Sequence, residues 1–500
     1  MALNETTLLN IQSKRGAKIV GAEVHNTSKE VAINECRKFI RDNSIRLREL
    51  DPVRKREKTR ELIINYIKGN PPRIKGYTDG EGRPDINKLI DLFVQEIMNY
   101  GILTRAMTDP TINEIRVNGR EIKVEEKGDV VDLKDENGNI VRFESLEQQE
   151  TVFRKIMGDV RLNPKYAVVN ARTDEGYRVA ALHHTALSPD PLDPSGVVYN
   201  AMVLRKFKQS KLGLNDIVKF GTLSDNMART LAVLPAGGLT FFTVGPTASG
   251  KTTLNNAILQ AVPADTRTVL LQNPSEIDLR MREKITNRVY NDVLHLEARE
   301  VENPSPTDPT MPNMMAHILR LSPTFVCFGE IRTNKEFKLA MQIAQAGHPM
   351  NATYHAEDAE GAITRYLTAY LAESGNEPAH LALQSLVSVS HLVIVQKILR
   401  DGTRKVIQIT EILGTDPQNP NKPHLQDLYR FEILGEPEYN DAGKVIKIKG
   451  EHKRVGRLSD RLIKKLKLEG IKTECFDFLT KPVDPNEVET YTGTAKLSLA

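Results

Sequence analysis

The sequence predicts an α/β chain: a mostly parallel, helix-covered sheet preceded by a smaller α+β domain and a helical N-terminal extension. Three observations predict it. From about Phe207, short apolar runs alternate with helical stretches, as buried parallel strands alternate with crossover helices. Upstream, EIRV, IKVEE, DVVDL and NIVRF are separated by Asn118-Gly119, Lys127-Gly128 and Asn137-Gly138, which are hairpin signals. The third is length, since 500 residues exceed what one hydrophobic core organises.

Taken in order, residues 1–27 are polar and aperiodic and predict a mobile arm. Ser28 to Lys68 is charged and helical, and Gly69-Asn70-Pro71-Pro72 stops it. A second helix follows, with Ile86, Leu89, Ile90, Phe93 and Ile97 at helical spacing and Gly101 just past its end. The expected divisions are an extension over 1–80, an α+β domain over 81–206, an α/β domain over 207–435 and a C-terminal segment over 436–500. LSPDPLDPSG, residues 187–196, is a Pro- and Asp-rich loop within the second of these. LTFFTV, RTVLL, TFVCF and NATYH suit buried strands, and HLVIVQKIL with RKVIQITEI predicts a closing antiparallel hairpin. In the last segment a hairpin accompanies the basic helix SDRLIKKLKLEGI, whose composition fits a membrane surface or a partner. No internal repeat is visible.

Composition excludes several function classes. A hydrophobic content of 40% with 27% charged residues is that of an ordinary globular protein. No apolar run approaches the roughly 20 residues needed to cross a bilayer. The opening MALNETTLLNIQSKRGAK lacks the ordered regions of a secretory signal, so a cytoplasmic protein is expected, held at a membrane only through partners. Cys36, Cys327 and Cys475 are scattered and form no CxxC pair, which argues against a disulfide framework or a cysteine zinc site. A net charge of +4 and the absence of Trp argue against nucleic acid as the main partner.

The strongest signal is Gly245-Pro246-Thr247-Ala248-Ser249-Gly250-Lys251-Thr252, which satisfies GxxxxGK[ST]. A buried strand leads in, and KTTLNNAILQAV leads out with Leu254, Ala257, Ile258 and Ala261 on one helical face. The glycines let backbone N–H groups wrap phosphates, and the helix N-terminus adds partial positive charge. Lys251 is expected at the β- and γ-phosphates of ATP and Thr252 at Mg²⁺, with Thr253 completing the loop's exit.

An ATPase also needs a carboxylate to position the attacking water. Phe325-Val326-Cys327-Phe328-Gly329-Glu330 supplies one at the end of an apolar strand. Gly329 stands where many P-loop enzymes carry a metal-binding Asp, so Mg²⁺ would rely on Thr252, phosphate oxygens and waters.

GPTASGKTT, SPTFVCFGEIR and AGHPMNATYHA resemble, in order and spacing, the Walker A, Walker B and His boxes of the type II/type IV secretion ATPase superfamily. YGILTRAMTDPTINEIRVNG, NARTDEGYRVAAL and VLRKF resemble its N-terminal segments, and the likeness runs over most of residues 95–415. The missing tetracysteine resembles the Tad/Flp-type pilus assembly branch. The resemblance implies a RecA-like P-loop NTPase motor domain and a homohexameric ring of two-lobed subunits, with ATP held between the lobes. It also implies an inner-membrane platform protein as partner. It casts His355 as the γ-phosphate sensor beside His348, and Arg172, Arg178 and Arg205 as the arginines that neutralise charge on the phosphates.

One stretch departs from the family pattern. Its acidic box begins Glu-Asp, whereas this chain reads Leu271-Gln272-Asn273-Pro274-Ser275-Glu276 and keeps only Glu276. Amides supply neither negative charge nor basicity. On that view, Gln272→Glu with Asn273→Asp is expected to raise turnover. Three readings compete: an ATP-driven pilus or secretion motor, a conjugative DNA-transfer ATPase, and a nucleotide-binding subunit with weak or no hydrolysis.

Overall fold

The computed structural model describes every residue except 1–27, 44–51, 80, 127–128, 159, 174–175, 190–194, 207–211, 274, 284–285, 287, 300, 302–303, 485–486, 496 and 498–500. The arm expected over 1–27, the Lys127-Gly128 turn and part of the 187–196 loop lie outside the described residues. The chain forms two compact units, Met1–Gln209 and Ser210–Ala500.

In the first unit, helices α1 (Lys29–Asn43), α2 (Pro52–Gly69) and α3 (Ile86–Met98) share a small core. Ala32, Cys36 and Ile40 meet Ile63 and Ile67, and Leu89, Phe93 and Ile97 close it. Helix α3 starts where it does because the Asp85 carboxylate accepts from the Lys88 N–H at 3.1 Å, satisfying one of the helix's orphan donors. The six strands that follow are β1 (Ile112–Asn118), β2 (Glu121–Glu126), β3 (Asp129–Asp132), β4 (Val168–Arg172), β5 (Arg178–Leu182) and β6 (Ala201–Arg205). They form an antiparallel sheet of order β3-β2-β1-β6-β5-β4. Helix α4 (Leu146–Met157) packs Val152, Phe153, Ile156 and Met157 into that sheet's core.

The expected strand NIVRF forms only isolated bridges at Ile140 and Arg142. Phe143 is instead an anchor: its N–H donates to Arg120 O at 3.0 Å and its ring meets Phe153 edge-on. The segment therefore folds over the β1–β2 turn and adds no strand to the sheet.

The second unit is built on nine strands: β7 (Phe241–Val244), β8 (Thr268–Gln272), β9 (Val293–Glu297), β10 (Phe325–Phe328), β11 (Met350–Tyr354), β12 (Leu392–Ile398), β13 (Arg404–Thr415), β14 (Pro423–Ile433) and, after the small β15 (Glu438–Tyr439) and β16 (Val445–Lys447) hairpin, β17 (Gly450–Arg454). Their order is β17-β14-β13-β12-β7-β11-β10-β8-β9. From β12 to β9 every neighbouring pair is parallel, and β13, β14 and β17 continue antiparallel.

Both faces are covered, which is why these strands read as unbroken apolar runs. Phe241, Leu270, Phe325, Cys327 and Ile394 face one core with α5 (Asp225–Ala236) and α6 (Lys251–Leu259). Phe242, Val269, Val326, Phe328 and Val395 face the other, with α7 (Asn334–Gln345), α8 (Ala359–Ser374) and α9 (Ala379–Val389).

The basic C-terminal helix, α10 (Asp460–Leu468), differs from expectation. Its Leu462 and Leu466 are buried in the first of these cores, so the unit's own sheet occupies its apolar face. Its lysines cover the outside as solvated charge. No described helix is long and apolar enough to cross a membrane.

Candidate active site

Four loops leave the carboxyl ends of the adjacent parallel strands β7, β11, β10 and β8, the edge where open α/β sheets bind ligands. The first is the glycine-rich loop after Val244. Gly245 has φ +151°, and a Cβ there would lie 2.0 Å from the carbonyl oxygen of Gln396. Only glycine fits. Ala248 has φ 63°, a left-handed conformation uncommon for a residue with a Cβ, and Gly250 enters α6 at φ 94°. Ser249 Oγ is buried with no hydrogen-bond partner among the described residues. This cradle, open to an acceptor-rich ligand at a helix N-terminus, fits the phosphates of ATP. Thr252 and Thr253 lie in the first turn of α6, Thr252 half-buried and Thr253 exposed.

Lys251 is buried, and its Nζ donates to the carbonyls of Gly245 and Pro246 at 2.9 and 2.8 Å. It also lies 3.4 Å from His355 Nδ1. His355 follows β11, and its Nε2 is 3.2 Å from Glu330 Oε1. Glu330 follows β10, and its other oxygen accepts from Arg332 Nε at 2.7 Å. Lys251, His355 and Glu330 thus form one continuous polar chain, although 104 positions separate the first two. His348 precedes β11 and sits at the opposite end of that strand from His355. Cys327, buried within β10, has its thiol pushed well up by desolvation and is no nucleophile.

The altered acidic box has a structural use. Gln272 is 1% exposed, and its Nε2 donates to Ile277 O at 3.0 Å. Its Oε1 accepts from the N–H groups of Glu276 and Ile277 at 2.9 and 2.7 Å. The side chain staples the loop that carries Glu276, and only an amide can donate and accept in this way. Gly329 packs against it, since a Cβ there would lie 3.0 Å from Gln272 Cγ. For the Gln272→Glu half of that double change, the contacts of Gln272 predict a cost in stability. Gln272→Glu should lower stability by about 1–3 kcal/mol, because the carbonyl of Ile277 loses its donor and faces a buried carboxylate. Denaturant unfolding of the two proteins checks this. An unchanged midpoint would refute the staple.

In the first unit, Arg172 of β4 pairs across the sheet with Arg178 of β5, and Arg178 pairs with Arg205 of β6. Directly opposed residues share a sheet face, so three guanidinium groups line up across three strands. Glu114 of β1 continues the same row opposite Arg205.

Two residues near the loop were not anticipated. Gln396 supplies the carbonyl that Gly245 must clear, and Arg404 Nε donates to Ala248 O at 3.3 Å. Both belong to the β12–β13 hairpin, whose sequence announces a hairpin but not what it lies against.

The profile of the family described as type II/IV secretion system protein matches residues 98–426. An uncharacterized protein of Methanocaldococcus jannaschii is 26% identical over 249 residues, covering 49% of this chain and 40% of that protein. The type II secretion system protein HxcR of Pseudomonas aeruginosa is 33% identical over 157 residues, covering 31% and 28%. The chain thus spans less than half the length of either relative. The Legionella pneumophila ATPase DotB superposes with a TM-score of 0.45 at 19% identity, covering 64% of this chain and 83% of DotB.

Proposed function

From the premise that the chain belongs to the type II/IV secretion system protein family, we propose that it is an Mg²⁺-dependent ATPase whose turnover drives a pilus assembly or secretion machine. The observation that carries this reading is the chain from Lys251 through His355 to Glu330 at the mouth of the phosphate cradle. Lys251 exchanges the carbonyls of Gly245 and Pro246 for phosphate oxygens. His355 lies beside both Lys251 and Glu330, so it registers whether the cradle is filled. Glu330 accepts the proton of the attacking water and orients that water for in-line attack. Glu276, carried on the loop stapled by Gln272, adds negative charge at the same sheet edge. Arg172, Arg178 and Arg205 offset charge that builds up on the phosphates.

Thr252 is the residue that would hold Mg²⁺, which supplies charge neutralisation at the phosphate oxygens. The side chains present fit a metal that keeps most of its waters. Gly329 offers no carboxylate, both oxygens of Glu330 have protein partners, and the Gln272 amide is fully used.

The working form proposed is a homohexameric ring at the cytoplasmic face of a membrane, docked on an integral platform protein of a Tad/Flp-type or related machine. A site that draws arginines from more than one lobe or subunit is incomplete in a monomer, and a ligand of the assembled state favours assembly. Light scattering of the purified chain with an ATP analogue and Mg²⁺ should show a ring-sized species that hydrolyses ATP when the analogue is replaced. A monomer alone at high concentration would overturn the ring.

A further inference from the structure

We propose that the first unit carries a divalent-metal site of the zinc class, formed by Glu150, His183 and His184 and independent of the nucleotide site. One ligand atom from each residue lies within 4.8 Å of the others, and this is the only such grouping among the described residues. The side chains come from two elements. Glu150 is on α4, and the histidines open the short turn after β5.

Their placement is enforced. Gln149, next to Glu150 and fully buried, accepts from the Asn200 N–H at 2.8 Å. Asn200, 1% exposed, accepts from the His184 N–H at 2.8 Å through its Oδ1. A buried polar chain therefore ties the helix bearing the carboxylate to the turn bearing the imidazoles. His183 Nδ1 lies 2.9 Å from Thr185 Oγ1 and 3.3 Å from Thr185 N, which fixes the ring, and a metal at Nε2 requires the tautomer in which Nδ1–H donates to Oγ1.

The two rings lie side by side, with centroids 4.1 Å apart and planes 35° apart. Tetrahedral ligands about 2.1 Å from zinc lie roughly 3.4 Å apart, so the cluster must contract slightly. Glu150 is half-buried and can make that adjustment by rotamer change.

A core histidine satisfied by Thr185 would account for His183 alone. It does not account for a second imidazole and a carboxylate converging on it. Two nitrogens and one carboxylate oxygen suit a borderline ion such as Zn²⁺ and leave a fourth position. Glu150, His183 and Asn200 also line a cavity of about 820 Å³ shared with Arg37, Arg154 and Arg161. Water or an anionic group could enter from there to fill that position.

The test uses the full chain, freed of any affinity tag, stripped with chelator and titrated calorimetrically with Zn²⁺ in the absence of nucleotide. One equivalent should bind, and Co²⁺ in its place should give the visible absorption of a low-coordinate ion. Glu150→Gln and His184→Ala should each weaken binding at least about 10-fold, the scale on which even outer-shell partners act, with the circular dichroism unchanged. Glu150→Gln preserves side-chain size, so it decides the matter if His184→Ala does not fold. No binding by the wild type, or wild-type affinity in either folded variant, would overturn the site.

Discussion

Lys251→Ala abolishes the binding of ATP with Mg²⁺ while the chain stays folded. Lys251 is buried, and its ammonium donates to two loop carbonyls and lies beside an imidazole at the mouth of the glycine-rich loop. Phosphate oxygens carry charge, so they hold an ammonium more strongly than peptide carbonyls do. Hydrogen bonds to charged groups contribute roughly 1.5–3 kcal/mol each, so losing two corresponds to a fall in affinity on the order of 10²-fold or more. Stability should change far less. Alanine is the best helix former, and this position opens α6. The two carbonyls that lose their donor lie at a loop that water can reach once the side chain is gone. Calorimetric titration with ATP and Mg²⁺, alongside circular dichroism, reads both effects. Equal nucleotide affinity in the variant would refute the assignment of the loop.

Glu330→Gln leaves nucleotide binding intact and removes nearly all turnover. Glutamine keeps the length and shape of the side chain, and its amide oxygen can still accept from Arg332 or stay near His355. What it lacks is basicity. General-base catalysis contributes typically 10² to 10⁴ in rate, and a fall of about that size in steady-state phosphate release is expected. Arg332 shapes the outcome too. Its backbone N–H is held by the Glu336 carboxylate at 2.7 Å, so the guanidinium grips Glu330 from a fixed base. In turnover that grip must loosen for Glu330 to reach water, and Arg332→Ala should therefore be less damaging than Glu330→Gln. If wild type and Glu330→Gln share one negligible rate, the chain is a nucleotide-binding subunit and the motor reading fails.

The glycine-rich loop was legible because its requirements are local. A tight turn needs glycine, a helix N-terminus follows it, and Lys and Thr occupy the first turn, all within eight consecutive residues from Gly245 to Thr252. The same holds for β10 and Glu330, where four apolar residues end in a carboxylate. Two errors have equally local causes. NIVRF carries a strand's alternation, but Phe143 is needed as an anchor over the β1–β2 turn. SDRLIKKLKLEGI carries the composition of a surface-binding helix, but composition does not say which surface Leu462 and Leu466 cover.

By itself, then, the sequence determined the doubly covered parallel sheet and the glycine-rich loop at its edge, because period, turn chemistry and motif spacing act over a few residues. Tertiary structure alone decided the rest. It aligned Arg172, Arg178 and Arg205 through antiparallel register and joined Lys251 to Glu330 through His355. It also turned Gln272 from a lost carboxylate into the staple of the Glu276 loop. Each of these depends on which strand lies beside which. Sheet order and register are set by the packing of whole faces, so no short stretch of sequence carries them.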